Sequence, residues 1–169
     1  MGYVHLTDIC QFIPASQIQK TLGTWTPTVA SNLITDVRTA ADASFDLLIP
    51  VVLPGSSVAR QGAKLVSIDV WYKIATAAAD DFATVTLNKV TMPAHGNVAT
   101  GAAVTTTEDT DHDTAAERKA VASHKMNVLL STPAFIEDDE AYWLHLVVDA
   151  AAGTVFTLIG AQANFTLRL

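Results

Sequence analysis

The run from Thr154 to Leu169, TVFTLIGAQANFTLRL, constrains the fold most. Val155, Thr157, Ile159, Ala161, Ala163, Phe165, Leu167 and Leu169 fall on one side of an extended chain, with Gln162, Asn164, Thr166 and Arg168 on the other. That period of two is the signature of a half-buried strand. Because the alternation continues to Leu169, a sheet must already exist to receive it.

The rest of the chain supplies that sheet. Ser44 to Leu53 reads as a strand bounded by the loop Pro54-Gly55-Ser56-Ser57. In Ala63 to Ile74, Val66, Ile68, Val70, Tyr72 and Ile74 share a face opposite Ser67, Asp69, Trp71 and Lys73. Phe82 to Val90 follows, with Ala83, Val85 and Leu87 together, and the two segments read as a hairpin. Val98 to Thr107 is a Thr-rich strand. Glu108 to Lys119 is a polar loop with a helical turn at Ala115 to Lys119. His124 to Leu130 and Ala141 to Asp149 resume the alternation, and Glu137 to Glu140 turns between them. Thr24 to Val29, interrupted by Pro27, and Leu33 to Val37 are weaker strands. About eight strands predict an all-β, two-sheet antiparallel β-sandwich, jelly-roll-like, over residues 24–169. An immunoglobulin-like sandwich is second, since no Cys, Trp, Cys pattern supports it. Two strand, alanine-rich corner, strand passages, at Ile74 to Asp80 and Val148 to Gly153, echo one another without implying a function.

Residues 1–23 differ in style. Tyr3, Val4, Leu6, Ile9, Phe12, Ile13, Ile18 and Leu22 follow neither a period of two nor one of 3.6, which predicts an N-terminal arm with a helical turn opened by Pro14 and stopped by Gly23. An apolar arm must lie on its own domain or on a neighbour. It lacks the basic and continuous apolar regions of a signal peptide, so synthesis without classical export is expected.

At 169 residues a single domain can bury roughly 70% of its unfolded surface without a staple. Lys and Arg number 10 against 17 Asp and Glu, giving a net charge of -7 that opposes phosphate backbones, so no direct nucleic-acid contact is expected. No apolar run is long enough for a membrane helix. Cys10 is single and reads as a small buried hydrophobe.

Catalytic patterns fail one by one. His5, His95, His112, His124 and His145 include no His-x-His pair, and His112-Asp113-Thr114 does not open a two-histidine, one-carboxylate triad. Alternate carboxylates at Asp109, Asp111 and Asp113 suggest a cation loop, but Thr114 and Ala120 stand where an EF-hand needs Gly and Glu, so the stretch reads as a solvated acidic loop. No phosphate loop or nucleophile elbow occurs. No catalytic residue, metal or cofactor is therefore expected. Trp71 and Trp143, opposite the main apolar rows of their strands, are possible surface aromatics.

The run DVWYKIATAAADDFATVTL from Asp69 to Leu87, with VVDAAAGTVFTLIGAQANFTLRL from Val147, resembles small β-rich proteins encoded among the virion structural genes of tailed bacteriophages. The resemblance spans residues 24–169 and is one of style, without a diagnostic motif. It implies a capsid decoration or other accessory virion protein that is not an enzyme, is made in the host cytoplasm, and binds the major capsid or another virion protein, often as a homotrimer. The residue pattern leaves a second possibility, a β-sandwich binding module for a glycan or cell-surface partner using end loops or the Trp71 and Trp143 face. An enzyme is third.

Overall fold

The computed structural model describes residues 6–52, 63–93 and 97–168. Tyr3, Val4, His5, His95, Leu169 and the Pro54 to Ser57 loop lie outside the described residues. In chain order the strands are β1 (Leu6–Pro14), β2 (Gln19–Lys20), β3 (Trp25–Ala30), β4 (Leu33–Arg38), β5 (Ala43–Val51), β6 (Ala63–Ala75), β7 (Asp81–Thr91), β8 (Thr100–Val104), β9 (Thr106–Glu108), β10 (Ala122–Phe135), β11 (Glu140–Ala150) and β12 (Val155–Arg168). One short helix, α1 (Ala115–Arg118), precedes β10; Thr114 and Glu117 close it with a capping box.

The strands form two antiparallel sheets, β3-β4-β12-β6-β10-β9 with β1 also on β12, and β2-β5-β11-β7-β8. Eight of them lie as β4-β12-β6-β10 and β5-β11-β7-β8, so that β4, the first, neighbours β12, the last, and successive strands cross between sheets except β7 to β8, which pair within one. That is the all-β, two-sheet antiparallel sandwich expected. Among the described residues the strands number twelve, because β1, β2, β3 and β9 extend the sheets beyond those eight.

Alternating side chains of both sheets fill the space between them. Phe45, Leu47 and Ile49 meet Leu144, Leu146 and Val148 on one wall, facing Ile68, Val70, Tyr72 and Ile74 with Phe156 and Leu158 on the other. Tyr72 stacks on Phe156 at 5.3 Å, and Phe45 meets Phe156 edge-on at 5.2 Å.

Several sequence expectations shift in phase or partner. β12 buries Phe156 and Leu158, leaving Val155, Thr157 and Ile159 half-buried on the outer face; only from Ala161 does the expected row, Ala161, Ala163 and Phe165, turn inward. The register with β6 slips between Leu158 and Gly160. Gly160 has φ +154, and a Cβ there would lie 2.7 Å from the Phe12 ring and 2.8 Å from the Ile13 carbonyl. A bulge at this glycine inverts the alternation, as one extra residue must. A similar slip at Asn164 and Phe165 puts Leu65 inside β6 and Val66 outside.

β6 and β7 are not a hairpin. They lie in opposite sheets, joined by a corner in which Thr76 takes φ +71. The expected strand over Val98 to Thr107 likewise divides at Thr105 into β8 and β9, one in each sheet.

The segment expected as an arm is, from Leu6 to Lys20, part of both sheets. β1 pairs with β12 from Leu6↔Arg168 to Pro14↔Gly160, a short 3-10 turn spans Ala15–Gln17, and β2 joins β5. Ile13, Ala15 and Ile18 enter the core, and Ile9 packs against it. The irregular apolar spacing reflects a segment that crosses between sheets within a few residues. Cys10 is exposed, not buried, because β1 turns Ile9 and Ile13 inward and Cys10 and Phe12 outward.

Candidate functional site

Among the described residues, the β3–β4 hairpin gathers exposed apolar side chains at its tip. Its strands pair from Trp25↔Arg38 to Ala30↔Leu33, whereas β12 meets β4 only at Asp36 to Arg38. The tip therefore extends past the sheet. Ser31 and Asn32, at φ +50 and +66, form a two-residue turn of the type that matches strand twist. Val29 is 73% exposed, Ile34 62% and Leu33 48%, and Val29 sits opposite Ile34.

The base of this hairpin is fixed. The fully buried Arg38 donates to the Ala41 and Ala43 carbonyls at 3.2 and 3.1 Å, and its guanidinium lies 4.7 Å from the Phe45 ring centre. Burial holds its pKa below the ordinary value. Lys20 pairs with Asp36 at 2.6 Å and also donates to the Ala15 and Ile18 carbonyls. Trp25 closes the core against Phe45 at 5.4 Å and donates to the Leu22 carbonyl. Leu22, the last residue of the expected arm set, is exposed beside this base.

The outer face of the larger sheet carries a polar network. Asp69, nearly buried, accepts from Asn127 at 2.8 Å and Asn164 at 3.2 Å; Asn164 also donates to Ser67 at 3.1 Å and accepts from Gln162 at 2.8 Å. A shallow groove of about 390 Å³ runs beside it, with Asp8, Cys10, Gln162 and Asn164 among its walls. Trp71 borders this face half-buried, with Phe12 6.4 Å from its ring and the Lys125 ammonium 5.6 Å from its centre. Trp143 is half-buried on the other sheet, between Pro50 and Asn88. The two indoles thus form no common surface, and neighbours already cover Trp71.

One cluster escaped the sequence patterns. His112 Nδ1 lies 2.7 Å from Asp109 Oδ1, His112 Nε2 lies 3.1 Å from His124 Nδ1, and His124 Nε2 lies 2.9 Å from the Ala120 carbonyl. Asp109 also accepts from the Asn127 and Asp111 amides at 2.6 and 3.1 Å. Burial works to raise its pKa, but these amides and His112 outweigh it and hold the carboxyl below its ordinary range. Burial, assisted by His112, lowers the pKa of His124 against the pull of Ala120. Tyr72 stacks on His124 at 4.6 Å and donates to the Arg118 carbonyl. Arg118 donates to the carbonyls of Phe82 and His112. Every ring nitrogen faces a protein partner, and both rings are nearly buried, so the cluster fastens chain to chain and presents no reactive atom. Asp109 is thus a clamp, and the acidic stretch around it is otherwise exposed or half-buried. His112 and His124 stand twelve residues apart and form none of the short-range pairs or triads sought in the sequence; the fold brings them together.

Among the described residues, no group of three or more His, Cys, Asp or Glu could hold a metal ion, and no helix is long and apolar enough to cross a membrane. No family model and no curated protein matches the sequence. Among solved structures, the chain is similar to the enzymatically active domain of tailspike protein 4 of bacteriophage CBA120. The identity is 10% and the TM-score 0.33, with 94% of this chain covered but only 19% of that one. A likeness at that level assigns neither family nor activity.

Proposed function

We propose that this chain is a non-enzymatic accessory subunit of a phage particle that docks on a neighbouring protein of the shell lattice through the tip of the β3–β4 hairpin. The observation carrying the proposal is the projection of Val29, Leu33 and Ile34 from a base immobilised by Arg38 and the Lys20–Asp36 pair. The resemblance of Asp69 to Leu87 and of the C-terminal run to virion structural proteins supplies the setting. Burying an aliphatic side chain of this size contributes about 1.5–3 kcal/mol, and a rigid base spares most of the ordering cost of docking. With a net charge of -7, copies of this chain repel one another, which favours a different protein as the partner.

The mechanism is mechanical. The sandwich is a stiff block, and the hairpin is a peg that enters an apolar recess between lattice subunits. The contact expected of the N-terminal arm passes to the hairpin, because Ile13 and Ile18 are already spent inside the chain's own core.

The test is incorporation into particles. Wild-type chain should co-purify with assembled particles, while the double variant Val29→Asp, Ile34→Asp should stay folded by circular dichroism and remain in the supernatant. Equal incorporation of the variant, or absence of wild-type chain from particles, overturns the proposal. A wild-type oligomer that the variant dissolves into monomers would assign the tip to self-association instead, and would also overturn it.

A further inference from the structure

The segment from Asp109 to Val121 folds over one end of the sandwich. Besides the histidine contacts, it is held by Arg118 on Phe82, by Tyr72 on the Arg118 carbonyl, by the Ala79 amide on the Lys119 carbonyl and by the Lys119 ammonium on the Asp80 carbonyl. At its centre the contacts Asp109 to His112, His112 to His124 and His124 to Ala120 form an unbroken chain of 2.7, 3.1 and 2.9 Å.

The hydrogens of that chain can be counted. A carboxylate and a carbonyl only accept, so His112 Nδ1 and His124 Nε2 must each carry a hydrogen. The contact between the rings needs a third. Two neutral imidazoles bring one ring hydrogen each, so the intact chain needs one proton more than the neutral pair holds. The adjacent Asp109 carboxylate balances that charge. A second added proton would set N–H against N–H across the 3.1 Å contact and break it.

We propose that Asp109, His112 and His124 form a one-proton clamp that keeps the 109–121 cap closed, and that acid opens the cap by adding a second proton to the histidine pair.

The surroundings agree. Arg118 lies against the pair through its bond to the His112 carbonyl and opposes further positive charge, and Tyr72 supplies a neutral stacking face from β6. β7 contributes only the Phe82 and Ala83 carbonyls, which Arg118 occupies, and β10 contributes the Asn127 amide on Asp109. Glu117 on α1 and its neighbour Asp113 also carry charge on this side, as do Asp111, whose amide donates to Asp109, and Lys119, whose ammonium lies on the Asp80 carbonyl. Burial lowers the pKa of His124, so its neutral form is favoured in the fold. The stability this confers is fully present above the ordinary imidazole value and is lost as pH falls through the lowered one.

Two measurements on the full chain test the clamp. Nitrogen-15 NMR of the histidine rings near neutrality should show both nitrogens of one ring protonated and only Nε2 of the other. Two singly protonated rings, or a bound metal between them, would overturn the assignment. Hydrogen exchange of residues 109–121, corrected for intrinsic chemistry, should quicken by up to about tenfold per pH unit below about pH 6.5 while β11 stays protected. A pH-independent cap would contradict it. His124→Asn retains an acceptor for His112 but cannot take the second proton, so its cap should not open in this range; opening as in wild type would also overturn the proposal. Should that variant fail to fold, the wild-type NMR and exchange results decide.

Discussion

The buried Thr154 hydroxyl donates to the Ala78 carbonyl at 2.9 Å and ties the two alanine-rich corners together. The Asp80 amide donates to the Asp149 carbonyl at 2.8 Å beside it, and a Cβ on Gly153 would sit 3.4 Å from that of Ala77. Both corners carry the chain from one sheet to the other, β6 to β7 and β11 to β12, so the sequence echo marks two crossings that brace each other. Thr154→Val keeps the shape and removes the donor. It should cost about 1–2 kcal/mol in denaturant unfolding, with the Ala78 carbonyl left unpaired. An unchanged midpoint would show that the bond does not brace the corners.

Gly160→Ala should be among the most damaging small substitutions. The added carbon meets the Phe12 ring and the Ile13 carbonyl, and φ +154 is unsuited to any other residue. A loss of about 1–3 kcal/mol is expected. Adding Phe12→Ala relieves the ring contact and not the backbone one, so the double variant should recover part of the loss that simple addition predicts. Strict additivity would place the strain elsewhere.

Deleting residues 1–20 should unfold the chain, because it strips β1 from β12 and removes Ile13, Ala15 and Ile18 from the core. Ile13→Ala alone should cost about 2–5 kcal/mol by chemical denaturation. A stable, soluble truncation would mean that these residues form a detachable arm after all.

Glu140 ties acid stability to the start of β11. Burial works to raise its pKa, but the Lys89 ammonium, the Glu137 amide and the Tyr142 hydroxyl together hold it below the ordinary value of 4.5. Its stabilisation is present above that value and disappears as pH falls through the depressed one. Glu140→Gln should lose about 1–2 kcal/mol near neutrality and flatten the acid limb of the stability curve. It should also relieve Tyr142, whose pKa burial and the carboxylate push up to about 12. An acid limb identical to wild type would remove Glu140 from the account.

The all-β sandwich was legible because Tyr142, Leu144, Leu146 and Val148, or Met126, Val128 and Leu130, keep one period and bury it in the core. Phase was not legible in β12. Nothing local in Leu158-Ile159-Gly160-Ala161 distinguishes a strand glycine from a bulge, and what fixes it there is Phe12, far away in sequence. Sheet membership was hidden for a similar reason. A corner such as Thr76 to Asp80 reads like a hairpin loop until the partners of β6 and β7 are known. The hairpin tip carried a weak strand signal, since Pro27 interrupts β3 and its apolar residues stay largely exposed. The histidine pair could be found only by folding.

The most direct test of the whole account is imaging of the chain in its native particle at side-chain detail. The account predicts one copy after another seated with Val29, Leu33 and Ile34 against a neighbouring lattice protein and with β1 paired to its own β12. A hairpin tip standing free in solvent while another surface makes the contact would contradict it.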